Sequence, residues 1–111
     1  MITYTTPALP LDVEGIDLTQ QQDVYVSFEQ IDNYFEKRNS DLVITVTTKE
    51  QVPTSHIIVL LSQEETGSFK AGKQVSIQVN WINSSEVRDA TDIATFGVER
   101  NLKDEVIEYG N

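Results

Sequence analysis

The cleanest alternation of apolar and polar residues runs from Gln74 to Ile82, where Val75, Ile77, Val79 and Trp81 interleave with Gln74, Ser76, Gln78 and Asn80. A side-chain period of two predicts a half-buried strand. Burying large apolar side chains is worth roughly 1.5–3 kcal/mol each, so the rest of the chain should pack on this segment. Asp23 to Gln30 repeats the pattern, with Val24, Val26 and Phe28 against Tyr25, Ser27 and Glu29. Asp41 to Thr48 sets Leu42, Ile44 and Val46 against Val43, Thr45 and Thr47. Both predict strands. Tyr34 and Phe35 lie between turn-forming residues, which predicts a short strand over Ile31 to Lys37. Ser55 to Leu61 is continuously apolar from Ile57 onward and suits a central strand covered on both faces. Tyr4 to Leu11 contains Pro7 and Pro10, which lack the N–H that a ladder needs, and is predicted at a sheet edge.

Between these segments the punctuation is specific. Ser62 followed by Glu65 is a capping box that opens one helical turn near 63–67, with Gly67 as its end. The chain should cross between sheets there, with Phe69 covering the open end of the core and Gly72 permitting the bend into the Trp81 strand. Lys49 to Thr54, with Pro53, reads as a loop. Asn83-Ser84-Ser85-Glu86 reads as a turn into a last strand from Val87 to Val98, with a bulge near Ala90-Thr91 where the alternation falters. Glu99 to Asn111 fits either an amphipathic turn with Leu102, Val106 and Ile107 on one side or an extended C-terminal arm. Together these elements predict an all-β chain: an immunoglobulin-like antiparallel β-sandwich of six or seven strands, one domain over 1–111. A small barrel is the alternative, because alternation does not separate closure from stacking.

Composition narrows the functional classes. A chain of 111 residues holds one core, and 39% hydrophobic with 23% charged residues is a globular balance. No apolar run approaches the roughly 20 residues of a bilayer span, and Met1 leads into neither a basic start nor an apolar stretch, so no membrane association and no export signal are expected. Zero cysteines leave no disulfide, thiolate metal site or thiol nucleophile. Eighteen acidic against eight basic residues give a net charge of −10, which disfavours nucleic acid or anionic lipid as a partner. The acids are scattered, with short clusters at Glu64-Glu65 and Asp104-Glu105, and so read as a solvated surface. A small acidic inhibitor, or a nucleic-acid mimic acting on a host enzyme, would instead need them to converge on one face.

Catalytic chemistry is sparse. His56 is the one histidine and opens an apolar strand, where a structural or surface role is the ordinary one. No metal-ligand, phosphate-loop or nucleophile-elbow motif occurs. Asp89 and Asp92, near Arg88, are the best paired carboxylates, but three residues apart on a strand they point to opposite faces. No catalytic, cofactor-binding or metal residues are assigned, and no cofactor is expected. The outward row of the Trp81 strand, Gln74, Ser76, Gln78, Asn80 and Ile82, is uncharged, and Tyr25 and Tyr34 add aromatic surface of the kind interfaces use.

The segments DLTQQQDVYVSFEQ at 17–30, LLSQEETGSF at 60–69, VSIQVNW at 75–81, RDATDI at 88–93 and NLKDEVI at 101–107 resemble small hypothetical proteins of phages and prophages of gut Firmicutes. More loosely, the strand, short helical crossing and long strand are similar to the immunoglobulin-like N-terminal domain of phage baseplate upper proteins. Residues 36–54 lie outside the likeness. The resemblance implies a non-enzymatic phage structural or accessory protein, in the host bacterial cytoplasm during assembly and then in the virion. Its partner would be a virion component or a second copy of itself.

Overall fold

Eight strands form in the computed structural model, which describes residues 1–108. They are β1 (Ala8–Glu14), β2 (Asp23–Gln30), β3 (Asn33–Arg38), β4 (Leu42–Lys49), β5 (Val52–Leu60), β6 (Gln74–Ile82), β7 (Arg88–Ala90) and β8 (Ala94–Gly97). A single helical turn, α1 (Gln63–Gly67), separates β5 from β6. The strands make two antiparallel sheets, one ordered β1-β5-β4 and the other β3-β2-β6-β7, with β8 also pairing β6. The sheets pack face to face as a sandwich. The chain is thus a β-sandwich, two antiparallel layers over one core, with eight strands where six or seven were expected, and the strand order leaves both sheets open rather than closed into a barrel.

The inward rows follow the period of two. Val75, Ile77, Val79 and Trp81 of β6 and Val24, Val26 and Phe28 of β2 meet Val13, Leu42, Ile57 and Val59 of the other sheet in one buried cluster. All four phenylalanines gather at one end. Phe28 and Phe35 stack at 4.9 Å, Phe35 and Phe69 at 5.6 Å, and Phe96 meets Phe69 edge-on at 6.3 Å. Phe69 thus closes the core as its position predicts.

Buried polar groups tie the crossings. The Ser55 hydroxyl donates to Ile16 O and accepts from Leu18 N, both at 2.8 Å, which carries the chain beneath β5 from one sheet toward the other. Gln30 clamps the approach to β6, donating to Lys70 O at 2.8 Å and accepting from Lys70 N. Ser62 and Glu65 form the predicted capping box. Gly72 has φ +82, the left-handed bend expected before β6.

Four local expectations change. The loop at 49–54 is a two-residue turn: Glu50 and Gln51 take φ 52 and 68, so the strands extend to Lys49 and from Val52. Neither residue is one of the glycines or asparagines that advertise such a turn. β5 is central in its sheet but covered on one face only, because among the described residues no layer lies outside the three-stranded sheet; Leu60 is 59% exposed. The strand from Val87 to Val98 is two strands. At the break the Thr91 hydroxyl accepts from Val79 N at 3.1 Å, while Thr91 N donates to Val79 O. A side-chain oxygen stands where a ladder carbonyl would, and this interruption replaces a simple bulge. Finally, Gly67 ends α1 without a left-handed φ, since the glycines that adopt one are Gly15 and Gly72.

The segment after β8 is irregular and docked. Thr3 N donates to Glu99 O, Asn101 donates to Thr3, and the Gln63 amide brackets the Ile107 backbone, accepting from its N at 2.7 Å and donating to its O at 2.9 Å. Over Glu99 to Glu108 it is an irregular arm with no helical turn, and Leu102, Val106 and Ile107 are exposed; 109–111 lie outside the described residues.

Candidate functional site

The outer face of β3, β2 and β6 collects Tyr34, Glu36 and Arg38, then Tyr25, Ser27 and Glu29, then Ser76, Gln78, Asn80 and Ile82, because alternate residues of each strand point away from the core. Register decides who meets whom. Arg38 and Asn80 flank Tyr25, Glu36 and Gln78 flank Ser27, and Tyr34 and Ser76 flank Glu29. The Arg38 guanidinium lies 4.9 Å from the centre of the Tyr25 ring, a cation–π contact. The Tyr34 hydroxyl reaches diagonally to Ser27 Oγ at 3.1 Å and Glu36 Oε2 at 3.3 Å. From β7, Arg88 donates to Asn80 Oδ1 at 3.1 Å.

These contacts frame a shallow depression of about 300 Å³ between Tyr25, Tyr34, Asn80, Ile82 and Arg88. A smaller one of about 100 Å³ continues from Ser27 and Tyr34 to Gln78 and Ile93. Tyr34 is 58% and Ile93 64% exposed, so apolar surface stays in water on a face otherwise built of amides, hydroxyls, guanidinium groups and the carboxylates of Glu29 and Glu36. Such a set recognises a partner by shape, stacking and hydrogen bonds. It contains no histidine or cysteine, and among the described residues no group of three or more His, Cys, Asp or Glu could hold a metal ion.

No protein-family model, curated protein or solved structure matches this chain.

On the opposite sheet, His56 bridges two strands. Its Nδ1 lies 2.8 Å from Asp12 Oδ1 on β1, and its Nε2 lies 2.8 Å from Thr47 Oγ1 on β4. An Asp–His–hydroxyl line is the arrangement by which imidazole takes a proton from a nucleophile. Here it runs across the outer face of the sheet, with Asp12 on β1, His56 on β5 and Thr47 on β4 side by side. It acts as a cross-strand tie through β1, β5 and β4. Asp89 accepts from Ala90 N at 2.8 Å, and both it and Asp92 are exposed.

The carboxylates do not converge. Asp12 occupies the outer face of one sheet, Glu29 and Glu36 that of the other, Glu50 a hairpin tip and Asp104 the C-terminal arm. Tyr25 and Tyr34 were visible in the sequence as surface aromatics, whereas Arg38 and Arg88 were not. Their signal was present in part, since Arg38 shares the parity of Tyr34 and Glu36. The partners of His56 were hidden because Asp12 is 44 residues away and enters only through strand order.

Proposed function

We propose that the chain is a non-enzymatic phage structural or accessory protein, a virion-, tail- or baseplate-type module that docks on another protein through the outer face of β3, β2 and β6. The observation that carries the docking reading is the Tyr25, Tyr34, Arg38 and Arg88 constellation. Tyrosine and arginine dominate the energetics of interfaces, and here cross-strand hydrogen bonds and the Arg38 stack hold them in place before any partner arrives, which lowers the ordering cost of binding. The phage assignment draws on the resemblance of the segments at 17–30, 60–69 and 75–81. The chain would be made in the host cytoplasm and assembled there. An acidic inhibitor or nucleic-acid mimic is less well supported, because its carboxylates are spread over both faces and the ends.

Mass spectrometry of particles purified from the induced host tests this. The chain should be present in a fixed ratio to tail proteins, and consistent absence overturns the assignment. Tyr34→Ala combined with Arg88→Ala should lower incorporation by about tenfold or more with circular dichroism unchanged. Unchanged incorporation would remove the docking face from the reading.

A further inference from the structure

The sandwich has four sheet edges, and three are guarded against pairing with another chain. On β1, Pro10 has no N–H to offer, and Asp12 and Glu14 follow it. On β3, three of six residues are charged: Glu36, Lys37 and Arg38. The edge beyond β6 is made of two short strands, three and four residues long, interrupted between them. The fourth edge, β4, has none of these devices before its last residue, Lys49. Leu42 to Thr48 carries no charge and no proline, and Val43-Ile44-Thr45-Val46-Thr47-Thr48 is an unbroken run of β-branched residues, which favours an extended, pairing-competent strand.

The structure leaves that edge open. The 3-10 turn Leu18–Gln20 approaches β4 from the core side, with Leu18 bonded to Ser55. No backbone hydrogen bond among the described residues reaches β4 except from β5. Ile44 and Val46 face inward yet are only half-buried, because no strand flanks them on that side, and Val43 on the outer row is 56% exposed.

We infer that β4 pairs antiparallel with β4 of a second copy of this chain, joining two three-stranded sheets into one of six across a two-fold axis. Charge fixes both the occupant and the register. Asp41 stands just before the strand and Lys49 at its end. With Thr45 opposite Thr45 of the other copy, each Asp41 meets the other Lys49 and Ile44 meets Val46. Inward residues face inward residues, as the pleat demands. A two-fold interface must be complementary to itself, and this segment is, in charge at its ends and in shape at its centre. The pairing involves the opposite sheet from the Tyr25 face and does not depend on what that face binds.

Sedimentation of the full chain tests it. At about 200 µM in about 150 mM salt, the wild type should be a dimer, as suits an interface at the small end of the range. Thr45→Lys and Thr45→Glu each place like charges across the axis on an exposed position, and each variant alone should be a folded monomer. Mixing the two should restore a dimer, which a merely structural defect would not do. A monomeric wild type overturns the inference. So does a wild-type dimer that survives Thr45→Lys, or variants that stay monomeric when mixed. If the dimer fails while the Tyr34 and Arg88 variant still loses incorporation, the docking face stands alone.

Discussion

At the scale of single residues, a few small or polar side chains are required by what lies against them. Gly67 is the clearest. Its backbone conformation would suit other residues, but a Cβ there would lie 2.6 Å from Cδ1 and 2.8 Å from Cζ of Tyr4, and nearer still to Cε1 between them. Tyr4 is held by its neighbours, since Thr66, fully buried, accepts from Thr5 N at 3.0 Å and donates to Thr5 O at 2.8 Å. With that backbone held, it is the partly buried ring that must shift to admit a Cβ. Gly67→Ala should destabilise the fold by about 1–3 kcal/mol, the usual cost of overpacking, and chemical denaturation will read it as a lowered midpoint with an unchanged slope. The sequence does place a glycine at the end of a helical turn, and a capping role is the natural inference. The ring 63 residues earlier is the actual reason, and nothing local to position 67 reveals it.

At the scale of elements, the strands and α1 obey their local signals while the connections between them do not always. The capping box forms as its spacing requires, and its glutamate also reaches a neighbouring strand. Glu65 pairs with Lys37 Nζ at 2.8 Å, tying α1 to β3. Partial burial works to raise the pKa of this carboxyl. The hydrogen bond from Lys37, the Ser62 backbone and hydroxyl, and the Lys37 charge outweigh it, so Glu65 titrates below the ordinary glutamate value. A carboxyl whose pKa is lower in the folded state stabilises fully above the unfolded pKa and loses that contribution as pH falls through the lowered value. Glu65→Gln keeps an acceptor for the Ser62 N–H but removes the charge. At neutral pH the variant should be less stable by under about 1 kcal/mol, since the pair is partly solvated. Denaturation curves from neutral to acid pH should show the difference closing as Glu65 protonates.

Connections were harder to read at this scale. The β4–β5 turn was obscured because Glu50 and Gln51 carry side chains in a conformation that glycine and asparagine ordinarily supply. The break between β7 and β8 appeared only as a faltering alternation, since it depends on Thr91 reaching back to Val79. The apolar run of β5 suggested two covered faces; in fact Ile57 and Val59 are buried while Ile58 and Leu60 look outward.

For the molecule as a whole, net charge sets the response to ionic strength. A charge of −10 spread over both faces and the ends repels itself in the folded state more than in an expanded chain. Raising sodium chloride from about 20 to about 200 mM shortens the screening length from about 21 Å to about 7 Å, the latter well inside the smallest extent of the domain, 26 Å. The melting temperature should therefore rise by a few degrees over that range, and scanning calorimetry will measure it. A fall would mean that local ion pairs such as Lys37–Glu65 and Arg38–Asp23 outweigh the distributed repulsion.

What the sequence alone determined is which residues face inward and which outward on each strand, because a period of two is a property of the chain itself. That was enough to name the core around Trp81, the capping box, the bend at Gly72 and the polar outer row that carries the candidate face. Tertiary structure alone decided which strands are neighbours, which edges are left open, and therefore which distant side chains meet: Arg38 over Tyr25, Asp12 on His56, Tyr4 against Gly67. The physical reason is that pairing partners are chosen by backbone hydrogen bonds and by the fit of one layer on another, interactions that every strand can offer and that only the assembled core selects among.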